Sequence, residues 1–143
     1  MRPAPKLAPA LPLKVLLEIF LSLAILASYP MIKIIQTQIS ESELNEFVGK
    51  PYETLVKFVV DVENGILALG GEMHADAESV LLEKGSSQAH LWGGNYYFQK
   101  PKEEQIQYTS LINIRPSANN YTLDVVDKLI RNQIKLLVEK FLP

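Results

Sequence analysis

Two residues apart near the middle of the chain, Glu72 and His74 are the pair whose types and spacing point most directly to chemistry. On an extended strand, side chains at i and i+2 leave the same face. A carboxylate and an imidazole so placed can chelate a divalent ion or form a carboxylate-oriented general base. Asp61, on the strand expected alongside, would supply a third ligand. With one imidazole such a site would be carboxylate-rich and weak. The competing reading is structural: an imidazole beside a carboxylate at a strand end, with Lys57 facing Glu72 as a plain cross-strand ion pair. A second group comprises Trp92, Asn95, Tyr97, Asn113 and Arg115. It can line one side of a cleft in which the guanidinium reads a carboxylate or phosphate in bidentate fashion. Alternatively, Arg115 pairs with Asp61, Glu63 or Glu72 and locks the sheet without a ligand, with Trp92 and Tyr97 as packing residues.

These groups depend on the elements that carry them. VKFVVDVE and ILALGGEM flank Asn64-Gly65, the preferred pair for a type I′ turn, so Val56–Glu63 and Ile66–His74 are expected to form a two-residue hairpin. That register pairs Asp61 with Ala68, Val59 with Gly70 and Lys57 with Glu72. It puts Val56, Phe58, Val60, Leu67 and Leu69 on one face, and Lys57, Asp61, Glu63, Glu72 and His74 on the other. Upstream, Met31–Ile39 alternates as a strand, and Ser40 with Glu43 reads as a capping box opening a short helix that Gly49 and Pro51 stop. Downstream, Asp76 is expected to cap a helix over Ala77–Lys84. Leu91–Phe98 and Ile106–Arg115 read as strands, and Asp124–Leu142 as a long amphipathic helix with Val126, Leu129, Ile130, Ile134, Leu137, Val138 and Phe141 on its apolar stripe. The order is β-α-β-β-α-β-β-α. It predicts an α+β two-layer sandwich with about five strands, a central hairpin and helices mostly on one face.

Residues 1–30 differ from the rest. Four of the nine prolines fall at Pro3, Pro5, Pro9 and Pro12, which makes the opening an extended lead-in. Leu13–Tyr29 reads as an apolar helix with Lys14, Glu18 and Ser22 as its one polar stripe. The charge-free stretch after Glu18 is short for a bilayer span. No A-x-A-like site precedes Tyr29, as a signal peptide would require. The expectation is therefore a single domain over 31–143, preceded by an appended segment that makes a membrane a partner only if residues 13–29 are retained as an anchor.

Composition closes several classes of function. The chain has 143 residues, 48% of them hydrophobic, with 14 basic and 16 acidic side chains and no cysteine. Disulfide scaffolds, thiolate zinc sites, iron–sulfur clusters and cysteine nucleophiles are excluded. Residues 31–143 hold 11 basic and 15 acidic side chains, a net charge of −4 with no basic stripe, which argues against nucleic acid as a partner. No Walker lysine loop, G-x-G-x-x-G, G-x-S-x-G or H-E-x-x-H is present.

The segments VVDVENGILALGGEMHADAE (Val59–Glu78), LLEKGS (Leu81–Ser86), LWGGN (Leu91–Asn95) and SLINIRP (Ser110–Pro116) together resemble a bacterial and archaeal family built on a domain of unknown function, family 5674. The resemblance spans about Met31–Leu142. It implies no activity, cofactor or partner. Where the family would carry a Gly-Asn-Arg/Lys-Ser-like turn after INIRP, this chain has Asn119-Asn120-Tyr121-Thr122, so an anion-binding role for that loop loses a cation. The residues taken alone point to a cytoplasmic binding or self-associating module with a polar groove between the hairpin and the Trp92–Arg115 strand pair. Homo-oligomerisation is expected because five strands leave open edges. The rival is a small metal-dependent or acid–base hydrolase using Asp61, Glu72, His74 and Arg115.

Overall fold

A computed structural model describes residues 1–28 and 31–143. Its elements are α1 (Leu13–Ser28), β1 (Ile32–Ile35), α2 (Glu41–Asn45), β2 (Val56–Asp61), β3 (Ile66–Gly70), α3 (His74–Glu83), β4 (Leu91–Tyr96), β5 (Ile106–Gln107) and α4 (Lys128–Phe141). The last residue of the helix expected over 13–29 lies outside the described residues. The five strands form one antiparallel sheet in the order β1-β3-β2-β4-β5. The α+β class, the central hairpin and the element order are those the sequence predicts.

Local chemistry fixes the entry to the sheet. Ser40 Oγ accepts from Glu43 N at 3.2 Å, and the Glu43 carboxylate accepts from Ser40 N at 2.9 Å, which completes the capping box of α2. Leu44 and Phe47 then bury against one sheet face with Val56, Phe58, Val60, Leu67 and Leu69 of the hairpin and Ile134, Val138 and Phe141 of α4. The α4 helix starts later than expected, at Lys128, because Asp127 caps it by accepting from Leu129 N at 2.8 Å. Val126 and Leu129, expected on its buried stripe, are exposed.

The hairpin departs from the expected register. Asp61 pairs with Ile66 and Val59 with Ala68, so residues 62–65 form a four-residue loop. Asp61 drives the change. Its Oδ1 accepts from Glu63 N at 3.0 Å and Asn64 N at 2.9 Å, while Oδ2 accepts from Asn64 Nδ2 at 2.7 Å. A side chain that satisfies its own turn competes successfully with a bare I′ turn. The slip is by two residues, which preserves the alternation of faces. The second face, however, is not an open polar surface: Val59, Ala68 and Leu91 bury there beneath Ala77 and Leu81 of α3. Helices therefore cover both faces rather than mostly one.

Strand β3 ends at Gly70, four residues short of the expected His74. Gly70 has φ +99°, and a Cβ on it would collide with the Met31 carbonyl oxygen. The chain leaves the sheet there and turns into α3, whose first residue is His74. Asp76 is thus inside the helix rather than its cap, and its carboxylate accepts from Met73 N at 3.0 Å.

Candidate functional site at the start of the third helix

Early termination of β3 places His74 and Glu72 beside the start of β2 instead of along its partner strand. Lys57 and Asn95 are directly paired residues of β2 and β4, on the face that α3 covers. Between them, the start of α3 and the 109–112 segment lies a groove of about 460 Å³, lined also by Tyr52, Met73, Ser110 and Leu123. That volume falls within the roughly 300–1,000 Å³ of small-molecule sites.

The groove has a polar end formed by Lys57, Tyr52, Asn95 and His74. Half-buried Lys57 points its Nζ toward Asn95 Oδ1 at 3.5 Å and lies 5.2 Å from the centre of the Tyr52 ring. Burial lowers its pKa below the ordinary lysine value, and among the described residues Lys57 forms no ion pair. Tyr52 is oriented by its hydroxyl, which donates to Glu72 O at 2.8 Å. Glu72 itself is exposed on the rim. Asn95 is held by donating from Nδ2 to Gln107 Oε1 at 2.8 Å. His74 is 8% exposed, and its Nε2 lies 2.8 Å from Gly94 O. A carbonyl can only accept, so Nε2 carries the hydrogen and Nδ1 is left as an acceptor. Burial, with the nearby charge of Lys57 adding to it and the Gly94 bond opposing it, pushes the imidazole pKa down to about 4. His74 is therefore neutral at pH 7. The opposite wall is apolar: Leu111 is 71% exposed and Met73 55% exposed, beside Ile112 and Leu123.

Of the residues singled out by sequence, Glu72, His74 and Asn95 meet at this groove. Asp61 does not join them. It sits four residues along β2 from Lys57, about 13 Å away at strand spacing, fully buried and engaged with its own loop. Burial opposes its ionisation, yet hydrogen bonds from Ser86, Asn64 and Glu63 outweigh it and hold the carboxyl below the usual aspartate value. Among the described residues no three His, Asp or Glu side chains gather in a way that could hold a metal ion. The three-ligand geometry expected from the two-residue turn is thus corrected by the longer loop and the early helix.

The second expected cleft is filled by the protein's own backbone. Instead of one strand over 106–115, β5 stops at Gln107 and short 3-10 turns follow at Leu111–Asn113 and Pro116–Ala118. Asn113 is fully buried. Its Oδ1 accepts from Gly93 N at 2.8 Å and its Nδ2 donates to Gly93 O at 2.9 Å, so the carboxamide pairs with β4 as a strand residue would. Asn120 Nδ2 donates to Asn113 O, Thr122 O and Asp124 O at 2.8–3.0 Å. Arg115 donates to Ala89 O at 3.0 Å and Leu91 O at 2.7 Å, and stacks 4.6 Å from the Trp92 ring. Burial lowers its pKa, with Glu78 opposing. Trp92 packs in the core, and Tyr97 donates its hydroxyl to Gln107 Oε1 at 3.2 Å. Arg115, Asn113 and Trp92 thus brace a crossing of chain over β4, where Gly93 admits the close approach of Ser110 and Ile112, while Gly94 makes room for the Phe58 ring and Gln107 O.

Sequence reasoning missed Lys57, Tyr52 and Ser110 as groove residues. The available signal was Lys57 itself, a lone cation opening the apolar run KFVV with no register-independent partner.

A family model described as a protein of unknown function, DUF5674, matches residues 33–141. No curated protein and no solved structure matches the chain.

Proposed function

The chain belongs to the DUF5674 family of proteins of unknown function, and from that premise we propose that its domain is a binding module for a small organic anion. The ligand's charged group meets Lys57 at the polar end of the groove, and its apolar body lies along Met73, Leu111 and Leu123. One observation carries the reading: a half-buried ammonium faces a cavity of about 460 Å³ and forms no ion pair among the described residues. Removing a cation from water without a counter-ion is unfavourable, and a bound carboxylate would offset that cost. Asn95 Oδ1, 3.5 Å from the ammonium, helps hold Lys57 at this end of the groove.

The test is chemical-shift mapping with hexanoate on the full chain. Shifts confined to Lys57, His74, Asn95 and Leu111, with the Lys57 ammonium titrating at higher pH when hexanoate is bound, support the proposal. Saturating hexanoate with no shift at these residues, or with shifts only elsewhere, overturns it.

A further inference from the structure

Helix α1 is apolar over most of its circumference and carries that surface in the open. Lys14, Glu18 and Ser22 recur at four-residue steps, so at about 100° per residue they occupy an arc of about 80°. From Leu13 to Leu26 the other residues are Leu, Ile, Val, Ala and Phe, and the exposed large ones among them run from 44% at Ile19 to 68% at Phe20 and 83% at Leu13. From the geometry of this helix we infer that it is a membrane-surface element, lying in the interface of a bilayer that contains anionic lipid.

Three features favour lipid over a protein groove. An apolar arc of about three-quarters of the circumference needs cover nearly all round, which lipid chains can supply while the narrow polar stripe turns to the headgroups. The helix has 16 residues and is about 24 Å long, short of a hydrocarbon core of about 30 Å. Among the described residues no helix is long and apolar enough to cross a membrane. An in-plane position suits that length. Finally, Arg2, Lys6 and Lys14 precede the first acidic residue, Glu18, and the prolines between them keep this cationic lead-in extended against the headgroups. Lys14 can bury its alkyl stem while its ammonium reaches the surface. None of this depends on the ligand groove.

Vesicle flotation of the full chain tests the inference. Wild type should float with vesicles of phosphatidylcholine and phosphatidylglycerol, and several-fold less with phosphatidylcholine alone. The Leu16→Glu, Phe20→Glu double variant breaks the apolar arc and should lose at least tenfold in binding. Both side chains are exposed, so the variant's thermal unfolding should match wild type, which separates lost lipid contact from lost fold. Arg2→Gln with Lys6→Gln should abolish the preference for the anionic vesicles. Wild type remaining unbound to both vesicle types overturns the inference, as does undiminished flotation of the double variant. So does an oligomer that depends on Leu16 and Phe20 and persists with vesicles in excess, which would make a second copy the occupant.

Discussion

Two polar clusters lie on either side of the same stretch of β4, and they differ in one respect. Around Gly93, the carboxamides of Asn113 and Asn120 and the guanidinium of Arg115 all find backbone partners at hydrogen-bond distance. Two residues on, Lys57 faces a groove with an amide at 3.5 Å and no ion-pair partner among the described residues. Buried polar groups are normally satisfied by the fold itself. The first cluster obeys that rule and therefore explains architecture. The second leaves a charge without an ion-pair partner beside open space, the feature on which the proposed anion site rests.

The comparison breaks first, if it breaks, at the structural cluster. Asn113→Ala would leave Gly93 N–H and Gly93 C=O without the carboxamide that pairs with them, and the expected loss is about 3 kcal/mol. Gly94→Ala should cost at least as much, since a Cβ there would come within 2.6 Å of Gln107 O and closer still to the Phe58 ring. Denaturant unfolding measures both. A loss below about 1 kcal/mol in either variant would mean that this crossing does not brace the sheet.

His74 gives the next largest effect, and its sign follows from linkage. The unfolded chain protonates its imidazole near pH 6.5, while the folded site resists until about 4. Between those values the unfolded state binds the additional proton, so stability declines as pH falls from 6.5 and levels off below 4, by up to about 3 kcal/mol. His74→Gln, which keeps a donor for Gly94 O, should flatten this part of the profile. An unchanged slope in the variant would place the acid sensitivity elsewhere.

The smallest stability effect is expected at Lys57. Lys57→Met removes a desolvated charge and leaves the fold within about 1 kcal/mol of wild type. Its consequence belongs to binding, where loss of the anion's partner should weaken hexanoate at least tenfold, about 1.4 kcal/mol. A variant that instead unfolds would make Lys57 a structural residue like Arg115.

Much of the architecture was legible because it rests on local signals. The capping box at Ser40 and Glu43, the existence of a hairpin around Asn64-Gly65 and the Ile134, Val138 and Phe141 positions of α4 are each written within a few residues. What sequence could not supply was the contest between local options. Asn64-Gly65 favours a two-residue turn, but Asp61 offers four-residue closure with three hydrogen bonds, and only the folded loop shows which prevails. Likewise Ile106–Arg115 alternates as a strand should, yet Asn113 pairs through its side chain with Gly93 and lets the backbone leave the ladder. For the site, Glu72, His74 and Asn95 were visible as residue types. Their meeting point was not, because it depends on β3 stopping at Gly70 and on Lys57 being left without the Glu72 partner that the shorter turn would have provided.

The most direct test of the groove compares hexanoate with hexanol by calorimetry on wild type and Lys57→Met. The two ligands share an apolar body and differ in charge. Saturable hexanoate binding to wild type, at least tenfold tighter than hexanol, with that preference lost in the variant, is the predicted result. Equal affinity of wild type for both ligands, or a hexanoate affinity unchanged in Lys57→Met, would contradict the assignment of Lys57 as the anion anchor.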